Sequence, residues 1–180
     1  MLHVSEIVAL VDRSGAVTGS AERSVVRRHN LLHAATAVLV RDPAGRIYVH
    51  RRSPDKDWAP SHHDAAAGGI MGAGEEPAPA AARELAEELG VSGAELRPLG
   101  LNVYEDDTTR CVEHCFETTW AGPVRHADGE VVWGAWMDLE KLDAHLVDPA
   151  WLFVPDTRAL LARLARDGVG DYARLRFWHE

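Results

Sequence analysis

Cysteine is scarce: two residues in a chain of 180 give no disulfide framework, and a reducing compartment is the default expectation. On an extended strand Cys111 and Cys115 would stand about 13 Å apart, beyond the reach of one disulfide. No run of eighteen apolar residues exists, so no transmembrane helix is expected. Positive charge is in deficit, 19 Lys and Arg against 28 Asp and Glu for a net charge of −9, which argues against a nucleic-acid polymer or a membrane surface as partner. The opening MLHVSEIVALVDRSG lacks a basic start and carries Glu6 inside its apolar run, unlike a secretion signal, so the expected location is cytoplasmic. Repeats, low-complexity tracts and linkers are missing too. What remains, with 46 % hydrophobic and 26 % charged residues, is an ordinary globular composition of a length suited to one domain.

The most informative stretch is Gly69 to Val91, GIMGAGEEPAPAAARELAEELGV. Ala80 to Leu89 is expected to be a helix, with Pro77 and Pro79 in its approach or first turn and Gly90 as its stop. Glu84, Glu87 and Glu88 stand at i, i+3 and i+4 and share one face. Ala81, Ala82, Leu85 and Leu89 form an apolar stripe on the other side. Like charges at this spacing cost about 0.2–0.5 kcal/mol per pair, and nothing nearby in sequence fully offsets them. A hard cation such as Mg²⁺ would, since it takes carboxylate oxygens and bridges to phosphates. The ordinary alternative is an acidic face that is merely solvated.

Elsewhere the pattern alternates between strands and helices. Ile7–Val11 and Ala16–Thr18 read as short strands around Asp12–Gly15, and Ser20 as the cap of a short helix through Asn30. Arg23, Arg27 and Arg28 on that helix either meet an anionic substrate group or form a solvated face. Ala34–Arg41 and Arg46–Arg52 flank Asp42-Pro43-Ala44-Gly45, a hairpin signal. Glu95–Asp106, Arg110–Ala121 and Glu130–Met137 are further strands. In the second of these Cys111, Glu113 and Cys115 face one way and Val112, His114 and Phe116 the other. Asp138 opens a helix to about His145, and Pro155 or Asp156 opens another carrying Leu160, Leu161 and Leu164. The tail from Tyr172 either packs by Leu175, Phe177 and Trp178 or serves a partner.

The stretch 69–91 matches G-x5-E-x7-R-E-U-x-E-E-x-G-U, U being aliphatic, at Gly69, Glu75, Arg83, Glu84, Leu85, Glu87, Glu88, Gly90 and Val91. Nine matches across two long spacers are a specific signal. The chain thereby resembles a Nudix hydrolase. Upstream, HRRSPDKDWAPSHHDAAAGG and HNLLHAATAVLV resemble the YfcD-like subgroup, which is related in sequence to isopentenyl diphosphate isomerase. The resemblance implies an α/β/α sandwich with a mixed sheet and a loop–helix–loop site for Mg²⁺ or Mn²⁺. It implies one domain over residues 1–180, with a core at about 30–168, N-terminal strands and helix at 4–29, and a tail at 169–180. Arg83 is expected to pair with Glu75 and fix the loop to the helix. Glu84, Glu87 and Glu88 are the expected metal ligands, one of them doubling as base toward water. Metal matters because a diphosphate repels nucleophiles by its own charge, which cations neutralise while lowering the pKa of bound water. The implied activity is hydrolysis of a diphosphate linkage in a nucleoside diphosphate joined to another moiety, or a related organic pyrophosphate. The net negative charge does not exclude such a small-molecule substrate, because bound metal inverts the local field. Many members of the family are homodimers.

Several residues outside the metal helix are candidates. Arg51, Arg52 and Lys56 are cations beside the expected site and, with Gly69, are assigned to substrate binding, salt-bridged or solvated roles being the alternative. Many Nudix enzymes recruit a further carboxylate, which makes Glu113 a candidate ligand and Glu130 a weaker one, with a strand-edge ion pair as the alternative. His62, His63 and Asp64 either bind substrate, shuttle a proton or are structural. Cys111, His114 and Cys115 match no standard zinc spacing and read as buried strand residues.

Two rival readings have different chemistry. The isomerase resemblance aligns Gly68 with that enzyme's cysteine, Ile70 with a metal histidine, and Glu113 and Cys115 with its E-x-E pair; only His33 and Glu113 persist. An intact box then favours hydrolysis over isomerisation. A Nudix domain that senses a nucleotide without cleaving it is the other rival, and such domains often lose box glutamates that this chain keeps.

Overall fold

The structure is a computed structural model and describes residues 6–179, so the expected start of the N-terminal elements at residue 4 lies outside the described residues. Strand β3 (His33–Arg41) is the spine, and all nine of its residues are buried. Its small and β-branched side chains suit a strand covered on both faces. The hairpin of β1 (Ile7–Val11) and β2 (Val17–Glu22) meets it where Leu10 pairs with His33. On its other flank β3 runs parallel to β8 (Arg110–Thr119), from His33 beside Cys111 to Arg41 beside Thr119. Antiparallel β7 (Arg97–Glu105) follows outside β8. The turn between them is closed by Asp106 Oδ1, which accepts the N–H groups of Thr108 and Thr109 at 2.7 and 2.8 Å.

The turn after β3 forms as the sequence predicts, with Gly45 at φ 85°, yet β3 and β4 (Ile47–Arg52) pair only at Arg41 and Ile47. Beyond that point they splay. β4 takes β9 (Val131–Met137) as its antiparallel partner. Residues 63–72 fill the wedge: β5 (His63–Asp64) pairs with β4, β6 (Ala66–Ala67) pairs with β3, and Ile70 bridges to Ala35. The residues just before and inside the motif are thereby laid against the central strand.

Helix α1 (Arg23–His29) follows β2, and α2 (Pro77–Leu89) packs Ala81, Leu85 and Leu89 against Val38, Val40 and Phe116 on one face of the sheet. Pro77 occupies the first helical position, where a missing N–H costs nothing, so the helix begins three residues earlier than the periodicity alone predicts. Gly90, at φ 66°, ends it by donating to Ala86 O at 3.0 Å. On the opposite face α3 (Leu139–Leu146) and α4 (Pro155–Arg166) bury Leu142, Leu160, Leu161 and Leu164 against Leu39, Ile47 and Val49. Each such leucine contributes about 1.5–3 kcal/mol. Two short 3₁₀ turns at Gly170–Arg174 and Phe177–His179 bring Tyr172, Phe177 and the intervening Leu175 into that core, so the tail packs. The result is the mixed sheet between helical layers that the resemblance implies.

One local expectation fails. Ser20 does not cap α1 but pairs with Ala9, because β2 runs on to Glu22 and the helix begins at Arg23. Cross-strand pairing outweighs the capping preference of a serine.

Gly68 makes the wedge possible. A Cβ there would lie 1.9 Å from Thr36 O, a backbone atom with nowhere to go. Gly68→Ala is therefore expected to lower stability by at least about 1–3 kcal/mol, the usual cost of overpacking, in urea denaturation.

Candidate active site

Helix α2 presents Glu84, Glu87 and Glu88 as its periodicity predicts, and Arg83 organises them. Its Nε and Nη2 donate to Glu75 at 3.0 and 3.2 Å, while Nη1 donates to Glu84 at 2.7 Å and Glu87 at 3.2 Å. Glu75 Oε2 also accepts the Gly72 N–H at 2.7 Å, so one guanidinium ties the loop to the helix and offsets part of the carboxylate repulsion. That offset is what the sequence alone did not reveal. The Glu75 hydrogen bond raises the Arg83 pKa, and the same contact lowers that of Glu75.

The three glutamates differ in environment. Glu87 is exposed, Glu84 is mostly covered, and Glu88 is buried at 2 % exposure beneath the others. Burial raises the Glu84 pKa and pushes that of Glu88 up to about 8. Glu88 accepts the Gly68 N–H at 3.2 Å. Gly69 has no room for a side chain, since a Cβ would fall 2.8 Å from the Glu84 carboxylate.

Glu84 and Glu87 line a cavity of about 220 Å³ whose far wall carries Glu113, a candidate from the sequence, and Asp156, which the sequence did not foretell. There Glu113 of β8, Asp156 of α4 and Cys111 bring their ligand atoms within 4.8 Å of one another. Asn102 donates to Glu113 at 2.7 Å and to the Asp156 carbonyl at 3.1 Å. Burial, and then the neighbouring Asp156, push Glu113 well above the carboxylate range; burial and then Asp64 raise Asp156 to about 7. Asp64 is raised by burial as well and accepts the Ala66 N–H at 2.9 Å. Asp156 reads in sequence as a helix start, and its Oδ1 does accept the Thr157 N–H. Only the tertiary fold sets it opposite Glu113.

Lys56 and Arg52 line the same cavity, Lys56 paired with Glu130 and Arg52 donating to Trp58 O and Ala59 O at 3.0 and 3.2 Å. Arg51 stands apart: it is exposed, donates to Ser61 O, and lines no described cavity. His33 begins β3 and lines the cavity, and burial lowers its pKa. His63 instead stacks on Trp151, with ring centroids 4.4 Å apart. Cys111 and Cys115 are free and buried, and His114 lies on the other face of β8.

The donor set fits a hard divalent cation. The carboxylates of Glu84, Glu88 and Glu113, raised by burial, lose that penalty when an ion of opposite charge replaces the proton. Glu84, Glu87 and Glu88 would hold such an ion, with Glu113 across the cavity.

A sequence model of the NUDIX domain matches residues 31–163. A Nudix hydrolase of Rhodococcus erythropolis is 44 % identical over 167 residues, covering 87 % of this chain and 90 % of its own. The Nudix hydrolase YfcD of Escherichia coli K12 is 34 % identical over 161 residues, covering 89 % of this chain and 87 % of its own. A crystal structure of a Deinococcus radiodurans protein superposes with a TM-score of 0.74 at 24 % identity, over 92 % of this chain and 100 % of that one. The Nudix domain of Shewanella oneidensis NrtR, solved with ADP ribose, superposes at 0.58 with 15 % identity, over 76 % and 88 %.

In chelator the raised Glu88 pKa has a signed consequence. The folded state holds a proton that the unfolded chain releases near 4.5, so this contribution is full below that pH and is lost as pH rises toward about 8. Glu88→Gln is expected to remove that decline from the thermal stability–pH profile; an unchanged difference between wild type and variant across this window would refute it.

Proposed function

The chain belongs to the Nudix family of pyrophosphohydrolases, and from that premise we propose that it uses Mg²⁺ or Mn²⁺ to hydrolyse the diphosphate linkage of a nucleoside diphosphate joined to another moiety, or of a related organic pyrophosphate. The observation that carries the reading is the four-contact Arg83 fork, which ties Glu75 to Glu84 and Glu87, the last two lining a cavity shared with Lys56 and Arg52. Bound divalent metal supplies charge neutralisation of the diphosphate and a lowered pKa for the attacking water. The protein's part is positional. Arg83 and Glu75 keep the loop and helix in fixed relation, so the carboxylates need little reorganisation. Lys56 and Arg52 offer charge-assisted hydrogen bonds to phosphate oxygens, and Gly69 leaves the floor open beside Glu84. Glu113 and Asp156, whose pKa values burial raises, line the far side of the same cavity.

Isomerisation is disfavoured by space. A cysteine at position 68 would have its Cβ inside the Thr36 carbonyl, and the Ile70 that stands where the isomerase has a metal histidine offers no ligand atom and packs with Val8 and Val26. Two free buried thiols accord with a reducing cytoplasm. Among the described residues no helix is long and apolar enough to cross a membrane.

Glu87→Gln is expected to lower kcat by at least about 10²-fold, the scale of losing one group that stabilises transition-state charge, without a change in thermal melting. Product analysis on ADP-ribose, nucleotide sugars, dinucleoside polyphosphates and coenzyme A, with Mg²⁺ or chelator, is the assay. Full activity of the variant at saturating Mg²⁺ would remove Glu87 from the metal site, and binding without cleavage across the panel would point to a sensor.

A further inference from the structure

A second and larger concavity, about 860 Å³, adjoins the carboxylate cavity. One side is built by Glu22, Arg23 and Arg27, residues that precede the matched domain at 31, and the other by the loop carrying Asp57, Trp58 and Pro60. Arg23, Arg27, Asp57 and Trp58 line both spaces and so stand at their junction. The volume lies in the range of small-ligand sites.

The two arginines at the junction are not equally satisfied. Arg23 is paired with Glu6 at 3.0 Å and Asp57 at 3.3 Å. Arg27 has only a share of Asp57, whose Oδ2 lies 3.4 Å from Nε, and a 3.4 Å bond from Nη1 to Thr109 Oγ1. Its Nε is buried and makes no hydrogen bond among the described residues. Burial lowers its pKa, and Asp57 does not make up the difference. A guanidinium carries five N–H donors in a planar fork suited to phosphate oxygens, and most of these go unused here. Beside it Trp58 is fixed: Nε1 donates to Thr108 Oγ1 at 3.0 Å, and the Arg52 guanidinium lies 5.8 Å from the ring centroid. Glu22, exposed on the same wall, is an acceptor for hydroxyl groups and repels a second anion.

We propose that this concavity is the subsite for a nucleoside monophosphate half of the substrate, its phosphate on Arg27 at the junction, its sugar hydroxyls toward the acidic wall and its base against Trp58. The diphosphate then spans the two spaces, with one phosphate among the α2 glutamates and the other at Arg27. The assignment rests on the diphosphate-hydrolase reading and narrows it to substrates with a nucleotide on the far side. It also gives the β1–β2–α1 segment a purpose: it supplies Arg27 and half the wall.

The test is calorimetric titration of the full chain in chelator with AMP, GMP, UMP and CMP, with their nucleosides and with inorganic phosphate. At least one nucleotide is expected to bind about 10-fold or more tightly than its nucleoside, the scale of one charge-assisted contact. Arg27→Gln is expected to erase that preference, Trp58→Ala to weaken nucleotide and nucleoside alike, and Arg28→Ala, on the exposed side of α1, to change neither. Thermal melting identifies a variant that has failed to fold, in which case Arg27→Lys, which loses the planar fork, replaces it. No nucleotide binding in chelator, equal binding of inorganic phosphate and nucleotide, or an undiminished preference in folded Arg27→Gln overturns the subsite. Metal-dependent cleavage measured on the same preparations separates the readings: turnover without nucleotide binding overturns the subsite alone, and binding without turnover overturns hydrolysis alone.

Discussion

Arg83 stands among Glu75, Glu84 and Glu87, and the geometry of the site follows from that one guanidinium. A planar fork with donors on several sides can satisfy a loop carboxylate and two helix carboxylates at once, which a point charge on a flexible stem cannot. Without it the helix face would be a row of like charges at helical spacing. With it, Glu84 and Glu87 are held beside the cavity while Glu88 is left to the interior. Surface ion pairs contribute little to stability one by one. The value of this network lies in fixing where the oxygens are.

The sheet supplies the other half of the arrangement. Because β3 and β4 separate after one residue pair, the segment 63–72 lies along the edge of β3 and brings Asp64, Gly68 and Gly69 to the foot of α2. Because β8 runs parallel to β3, Glu113 sits beside Ala35 rather than at the sheet's margin. Antiparallel neighbours would need only a short turn, whereas this parallel pair is joined by a long crossover that includes α2 itself. The same excursion that builds the metal helix therefore sets the acids of β8 across from it.

What could be read in the sequence was whatever local spacing encodes. The helix face, the Arg83–Glu75 partnership implied by the family resemblance, the Asp42–Gly45 turn and the layered architecture all reappear in the structure. Long-range pairing supplied the rest. Asp156 looked like an ordinary first-turn residue, and nothing in its neighbourhood signals that it faces Glu113. Ser20 was misassigned because the strand before α1 continues two residues past it, stabilised by β1 rather than by its own composition. Arg51 and Arg52, adjacent in sequence, part company because neighbouring strand residues point to opposite faces. Arg27 was one of three arginines with no local mark to distinguish it.

Glu88 carries a chemical consequence of its own. A carboxyl kept protonated by burial can accept a divalent ion only by surrendering its proton, so on the proposed reading loading the site is an exchange reaction rather than simple binding. Below the pKa of about 8, each unit of acidification then costs the ion about tenfold in apparent affinity at this one group. On that reading the ion's occupancy is tied to the proton activity of its surroundings.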